Sequence, residues 1–165
     1  MQIVRGFVCA MLLVALTACS GSKFRTYNGP EVTRVIVNKG DREMHLMHHG
    51  RVLRSFDIHL GFAPEGHKQF EGDGKTPEGE YIIDRRNPNS SFHLSIGISY
   101  PNEMDVARAA SMGLSPGGDI FIHGAPQTVR WHRPDWTEGC IAVTDKEMEI
   151  IYAMVKNGTP ITINP

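Results

Sequence analysis

Asp135-Trp136-Thr137-Glu138-Gly139-Cys140-Ile141-Ala142-Val143 sets a cysteine directly behind a glycine and ahead of a short apolar run. The glycine lets the chain bend, so that two backbone amides can converge beside the sulfur. The chain has three cysteines. Cys9 lies in an apolar N-terminal segment and Cys19 just after it, which leaves Cys140 without a partner for an internal disulfide. A thiol kept in an oxidising compartment risks oxidation and mispairing, so a lone one there points to chemistry. A candidate base stands upstream: His123, in Phe121-Ile122-His123-Gly124.

A thiol becomes a nucleophile as its thiolate, and a free cysteine titrates near 8.5, so it needs an activator. An adjacent imidazole accepts the proton, and a third group usually fixes its orientation. Acyl transfer also needs N–H donors for the oxyanion, and the amides near Gly139 and Cys140 are the candidates. Cys140 and His123 are 17 residues apart. From the residues alone two readings stand: a catalytic pair, or an inert core thiol and a structural imidazole.

The remaining pattern is strand-rich. Val32 to Val37 alternates and is β-branched; it reads as a strand. Arg42 to His48 pairs with it across an Asn38–Asp41 turn, and Val52 to Leu60 follows. The glycine-, proline- and charge-rich stretch 61–78 reads as a surface loop. Gly79 to Asp84, Phe92 to Ile98, Asp119 to His123 and Thr159 to Asn164 are further strands. Two helices are expected. One spans Pro101 to Met112, with Met104, Ala107 and Ala110 at helical spacing. The other runs from a Thr144/Glu147 capping box to about Lys156. The sum is a mainly β, mostly antiparallel domain with two short α-helices.

Residues 1–18 carry Arg5, an apolar run from Phe7 to Leu16 and then small residues. This reads as a secretory signal, because the run falls short of the roughly 20 residues that cross a bilayer. Leu16-Thr17-Ala18-Cys19 resembles the bacterial lipobox, which implies cleavage before Cys19 and acylation of its thiol. Ser20 after the cysteine favours the outer membrane by the same resemblance, so the expected location is the periplasmic side, lipid-anchored. Residues 19–30 then form a lipidated tether and 31–165 the domain. The net charge is -1, and the basic residues are scattered, so a nucleic-acid partner is not expected. His45, His48 and His49 resemble a metal cluster, but on a strand they do not face one way, so no metal is expected.

Ile122-His123-Gly124 followed by Thr137-Glu138-Gly139-Cys140-Ile141-Ala142 resembles the YkuD, or L,D-transpeptidase, family. The upstream Asp73-Gly74-Lys75-Thr76-Pro77-Glu78-Gly79-Glu80-Tyr81 does so too. Residues 89–95 and 98–102 look like the YafK-like branch of that family. The resemblance implies an antiparallel β-sandwich or barrel-like catalytic domain acting on peptidoglycan stem peptides without a cofactor. Cys140 would attack the carbonyl of the diamino acid at the third stem position, D-alanine would leave, and an amine or water would take the acyl group. His123 would be the base. His93, Gly124, Thr137, Glu138, Trp131 and Tyr100 are the expected substrate contacts. His93 reads equally as a strand residue, and Trp131 as a packing aromatic in the loop with His132. Arg85 and Arg86 read as solvated, and Lys75 and Thr76 as structural. Typical members have histidine at position 138 and arginine at 142, where this chain has Glu138 and Ala142. A carboxylate at 138, if near the sulfur, would raise the thiol's pKa. A hydrolase that trims stems or releases a wall-bound lipoprotein, and an inactive wall-binding lipoprotein, are the alternatives.

Overall fold

The structure is a computed structural model that describes residues 22–125 and 134–165. Eight strands form one sheet: β1 (Arg34–Asn38), β2 (Glu43–His48), β3 (Arg51–Asp57), β4 (Gly79–Asn87), β5 (Ser95–Ile98), β6 (Phe121–His123), β7 (Ile141–Ala142) and β8 (Pro160–Asn164). Their order across the sheet is β3-β2-β1-β8-β4-β5-β6-β7. Two pairings, β1 with β8 and β6 with β7, are parallel and the others antiparallel. The expectation of a mainly β domain with two helices holds, and the sheet is mixed.

Alternation in the sequence sets which face is buried. Val35 pairs with Leu46 and Ile161, and Val37 with Met44 and Ile163. Tyr81 extends the first row by pairing with Ile161. All of these are buried in the core. β5 is buried along its whole length, because α2 (Asp145–Met154) packs over β5 and β6. That helix begins at the expected box: Thr144 accepts from the Glu147 amide and Glu147 reaches back. It buries Met148, Ile151, Tyr152 and Met154. At about 1.5–3 kcal/mol for each large apolar side chain fully buried, this face anchors the helix.

The other helix, α1 (Glu103–Ser111), is held differently. The expected face of Met104, Ala107 and Ala110 is exposed, and only Asp105 and Ala109 are buried. Apolar spacing misled here because the helix is fixed by polar ties. Asn102 and Asp105 form a capping box. The Asp105 carboxylate also accepts from Tyr81 Oη at 2.8 Å and meets His67 Nε2 at 2.9 Å.

The stretch 61–78 is not a plain surface loop. Lys68, Gly74, Thr76 and Pro77 are buried. Asp73 accepts from Lys68 Nζ at 2.9 Å and from the amides of Gln69, Phe70 and Lys75 at 2.7, 3.2 and 3.0 Å. Lys39 reaches in from the end of β1 to the carbonyls of Gly66 and Thr76 and to the Glu78 carboxylate. The loop is therefore a second, polar core, and the turn carrying Cys140 rests on it.

Residues 22–30, the described part of the expected tether, lie against the domain. Arg25 pairs with Glu149 at 2.7 Å, Phe24 meets the Tyr152 ring at 6.2 Å between centroids, and Tyr27 packs on the core. No helix among the described residues is long and apolar enough to cross a membrane.

Candidate active site

Parallel pairing of β6 and β7 brings the two expected catalytic residues together. Ile122 pairs with Ile141 and His123 with Ala142, so Cys140 falls beside Phe121. Cys140 is therefore offset from His123 by two positions of the register, and both line a cavity of about 290 Å³.

Gly139 makes the turn before the thiol. Its φ is +125°, and a Cβ there would lie 2.6 Å from the Lys75 carbonyl oxygen. Gly61 crosses beneath so closely that its own Cβ would meet Gly139 Cα at 2.9 Å. Thr137 braces the turn from inside: its hydroxyl donates to the Cys140 carbonyl at 2.6 Å and accepts from the Gly139 amide at 3.2 Å. Thr137 is buried, and its side chain is committed to this brace rather than facing a ligand. The Gly139 amide is thereby engaged within the turn. Asp135 ties the approach to the turn down, accepting from Arg42 and from the Leu60 amide.

The Cys140 sulfur accepts from the Phe121 amide at 3.4 Å and faces the Asp119 carbonyl at 3.6 Å. Burial pushes the thiol above its ordinary value; Asp119 adds to the rise, while the Phe121 amide, Lys68 and Arg85 oppose it. Glu138 is exposed, and the carboxylate that raises the thiol is Asp119. The like-charge effect expected of Glu138 comes from that residue instead.

His123 is only 4% exposed. Its Nδ1 is 2.8 Å from the Gly124 carbonyl. A carbonyl can only accept, so Nδ1 carries the proton and the neutral ring leaves Nε2 unprotonated. Phe92 stacks on the ring at 4.5 Å and Trp136 meets its edge at 5.7 Å. Burial pushes the imidazole below the usual histidine range, against opposing pulls from the Gly124 carbonyl and the Asp145 carboxylate. At rest the pair is thus neutral thiol and neutral base. Gly124 contributes by backbone: its carbonyl orients His123, and its amide donates to Phe92 and Leu94.

One wall of the cavity is the loop between β4 and β5. It supplies Ser90, Ser91 and Phe92, with Asn87 and Ser95 at its ends. His93, expected to face the cleft, has φ +71° and turns its ring to Glu149, with Nε2 3.1 Å from Oε1. It is not among the lining residues. Tyr100 is a core residue, 4% exposed, donating to the Pro116 carbonyl at 2.9 Å and edge-on to Tyr81. It lies apart from the cavity, just past the end of β5, with its ring in the core. Trp131, His132, Cys9 and Cys19 lie outside the described residues.

Arg85 and Arg86, expected to be solvated, each pack on an aromatic ring, Arg85 with its side chain still 39% exposed. Arg85 crosses over Gly97, where a Cβ would come within 2.5 Å of its Cγ, and stacks 4.6 Å from the Phe121 ring centroid. It also bonds Asp84 and Asp119. Arg86 lies over the Tyr152 ring and donates to the carbonyls of Tyr152 and Val155 at the C-terminal end of α2. The sequence signal that was available was Gly97, small inside an otherwise apolar strand. Among the described residues no group of three or more His, Cys, Asp or Glu side chains converges to hold a metal.

Comparison with known proteins follows the same lines. The family described as "L,D-transpeptidase catalytic domain" (YkuD) matches residues 32–163. The protein named "Putative L,D-transpeptidase YafK" of Escherichia coli (strain K12) is 32% identical over 107 residues, covering 64% of this chain and 38% of YafK. Among solved structures, the helical cell shape determining protein Pgp2 of Campylobacter jejuni superposes with a TM-score of 0.60 and 26% identity, over 83% of this chain and 49% of Pgp2. An L,D-transpeptidase of Mycobacterium smegmatis, at 15% identity and a TM-score of 0.55, shares the fold over 81% of this chain and 59% of its own. The chain thus spans 38–59% of the length of these relatives.

Proposed function

The chain belongs to the YkuD family of L,D-transpeptidase catalytic domains, and from that premise we propose that it carries out cysteine-dependent acyl transfer on peptidoglycan stem peptides through a thioester at Cys140. The observation that carries the reading is the pair itself: a half-buried thiol and an imidazole with its Nε2 unprotonated, on neighbouring strands of one sheet and lining one cavity.

The steps follow from these groups. His123 Nε2 takes the thiol proton as the sulfur attacks the carbonyl of the diamino acid at the third stem position. The Cys140 amide stabilises the developing oxyanion. Collapse breaks the peptide bond, and the imidazolium protonates the departing D-alanine amine. An acceptor amine then attacks the thioester, giving its proton to His123, and the thiol is restored. With water as acceptor the same machinery hydrolyses. The lipobox at residues 16–19 supports an exported chain held to the outer membrane through Cys19. The likeness to Pgp2 supports a role in wall remodelling and cell shape.

Incubation with purified tetrapeptide muropeptides, followed by mass analysis, tests the reading. Cross-linked dimers mark transfer; shortened monomers mark hydrolysis. Cys140→Ala should abolish both and leave the thermal midpoint unchanged. Absence of any product, together with failure of a thiol-reactive carbapenem to label Cys140, would leave a wall-binding protein without chemistry.

A further inference from the structure

The loop that walls the cavity is tied to the N-terminal segment. Lys23 Nζ donates to the Pro88 carbonyl at 2.6 Å and to the His93 carbonyl at 3.0 Å. It therefore bridges the two ends of the 88–93 loop, 65 and 70 residues away in sequence. Arg25 reaches the same place by a second route: it pairs with Glu149, and Glu149 also holds the His93 ring. His93 sits at φ +71°, a left-handed conformation that non-glycine residues adopt at a cost and keep only when their surroundings enforce it. Both strap residues converge on this strained position. Directly before it stands Phe92, whose ring stacks on His123 and whose carbonyl receives the Gly124 amide.

We propose that residues 22–25 act as a strap that fixes the 88–93 loop, and with it the Phe92 wall over His123, so that Lys23 and Arg25 are positioning residues for the substrate. Loop geometry matters because a stem peptide must be held with its carbonyl aligned to the sulfur, and a misplacement of about 1 Å can cost a hundredfold in rate. The thiol and the base belong to the sheet and do not depend on the strap. A small electrophile should therefore not sense it, while an extended substrate should. The turnover part of this inference rests on the acyl-transfer reading; the loop-ordering part does not.

The test uses the full-length chain with Lys23→Met and Lys23→Arg. Three quantities are read: amide hydrogen exchange of residues 88–94, KM and kcat on a tetrapeptide stem, and alkylation of Cys140 by iodoacetamide followed by peptide mass mapping. Lys23→Met should speed exchange of 88–94 about tenfold and raise KM about tenfold, as expected for losing one charged anchor. Exchange in β6 and the alkylation rate should change less than twofold, and Lys23→Arg should restore the loop. Unchanged exchange and KM in Lys23→Met would overturn the proposal, as would faster exchange spread evenly through the domain. Faster loop exchange in a chain that turns over no stem peptide would sustain the strap and remove the acyl-transfer reading.

Discussion

Gly139→Ala isolates the demand that the nucleophile turn makes on its backbone. At φ +125° an L-residue is strained, and such conformations cost about 1–3 kcal/mol. The added methyl would also stand 2.6 Å from the Lys75 carbonyl oxygen and 3.4 Å from Ile120 Cδ1. The closer atom is backbone, held in the loop fixed by Asp73 and Lys39, so it cannot swing aside. Overpacking of that kind adds about 1–3 kcal/mol. The total, about 2–6 kcal/mol, should lower the thermal midpoint by roughly 8–16 °C at its middle value of about 4 kcal/mol. Relief of the clash displaces Cys140, and turnover should fall on the order of a hundredfold. Calorimetric melts and stem-peptide turnover measure the two effects. A variant that melts within about 2 °C of the parent and keeps most of its turnover would show that the turn does not constrain the thiol as argued.

The pH dependence of kcat/KM follows from the two displaced titrations. Reaction needs His123 neutral and a proton on the pair, so the plateau should open below the ordinary histidine value of about 6.5 and extend past the ordinary thiol value of about 8.5; an acid limb above 7 or an alkaline limb below 8 would contradict it. Asp73→Asn should leave Lys68, whose side chain is 3% exposed, buried without its counter-charge, at about 3–5 kcal/mol, and a shift in thermal midpoint under about 2 °C would refute that. Burial pulls the Asp73 carboxyl up, but the Gln69 amide, the Lys68 ammonium and the Lys75 and Phe70 amides together hold it below its usual value. Its contribution to stability is therefore present above the unfolded value of about 3.9 and lost as pH falls through the folded one.

The alternating strands and the capped second helix were legible because period-2 burial and a Thr-x-x-Glu box are local signals. The Cys140–His123 pairing was legible as chemistry, but the sheet register that unites the pair is a long-range fact. Thr137, Tyr100 and His93 were read as facing a ligand, and each is turned elsewhere: to the turn, to the core and to Glu149. Residue type alone does not report side-chain direction when a positive φ or a turn hydrogen bond intervenes. The buried status of stretch 61–78 was hidden because its core is made of ion pairs and backbone acceptors, which carry no apolar pattern. Arg85 and Arg86 were hidden for the related reason that a guanidinium stacked on Phe121 or Tyr152 looks, in sequence, like a solvated charge.

β8, residues Pro160–Asn164, lies at the middle of the sheet between β1 and β4. Within the sheet the β1–β3 meander joins the half that bears the thiol and imidazole through this strand, while Arg42 to Asp135 and the His59–Ala142 bridge beyond β3 tie the two sides outside it. Synthesis delivers β8 after the rest of the domain. The ladder that runs from Val35 through Ile161 to Tyr81 therefore exists only once the final strand of the domain is in place.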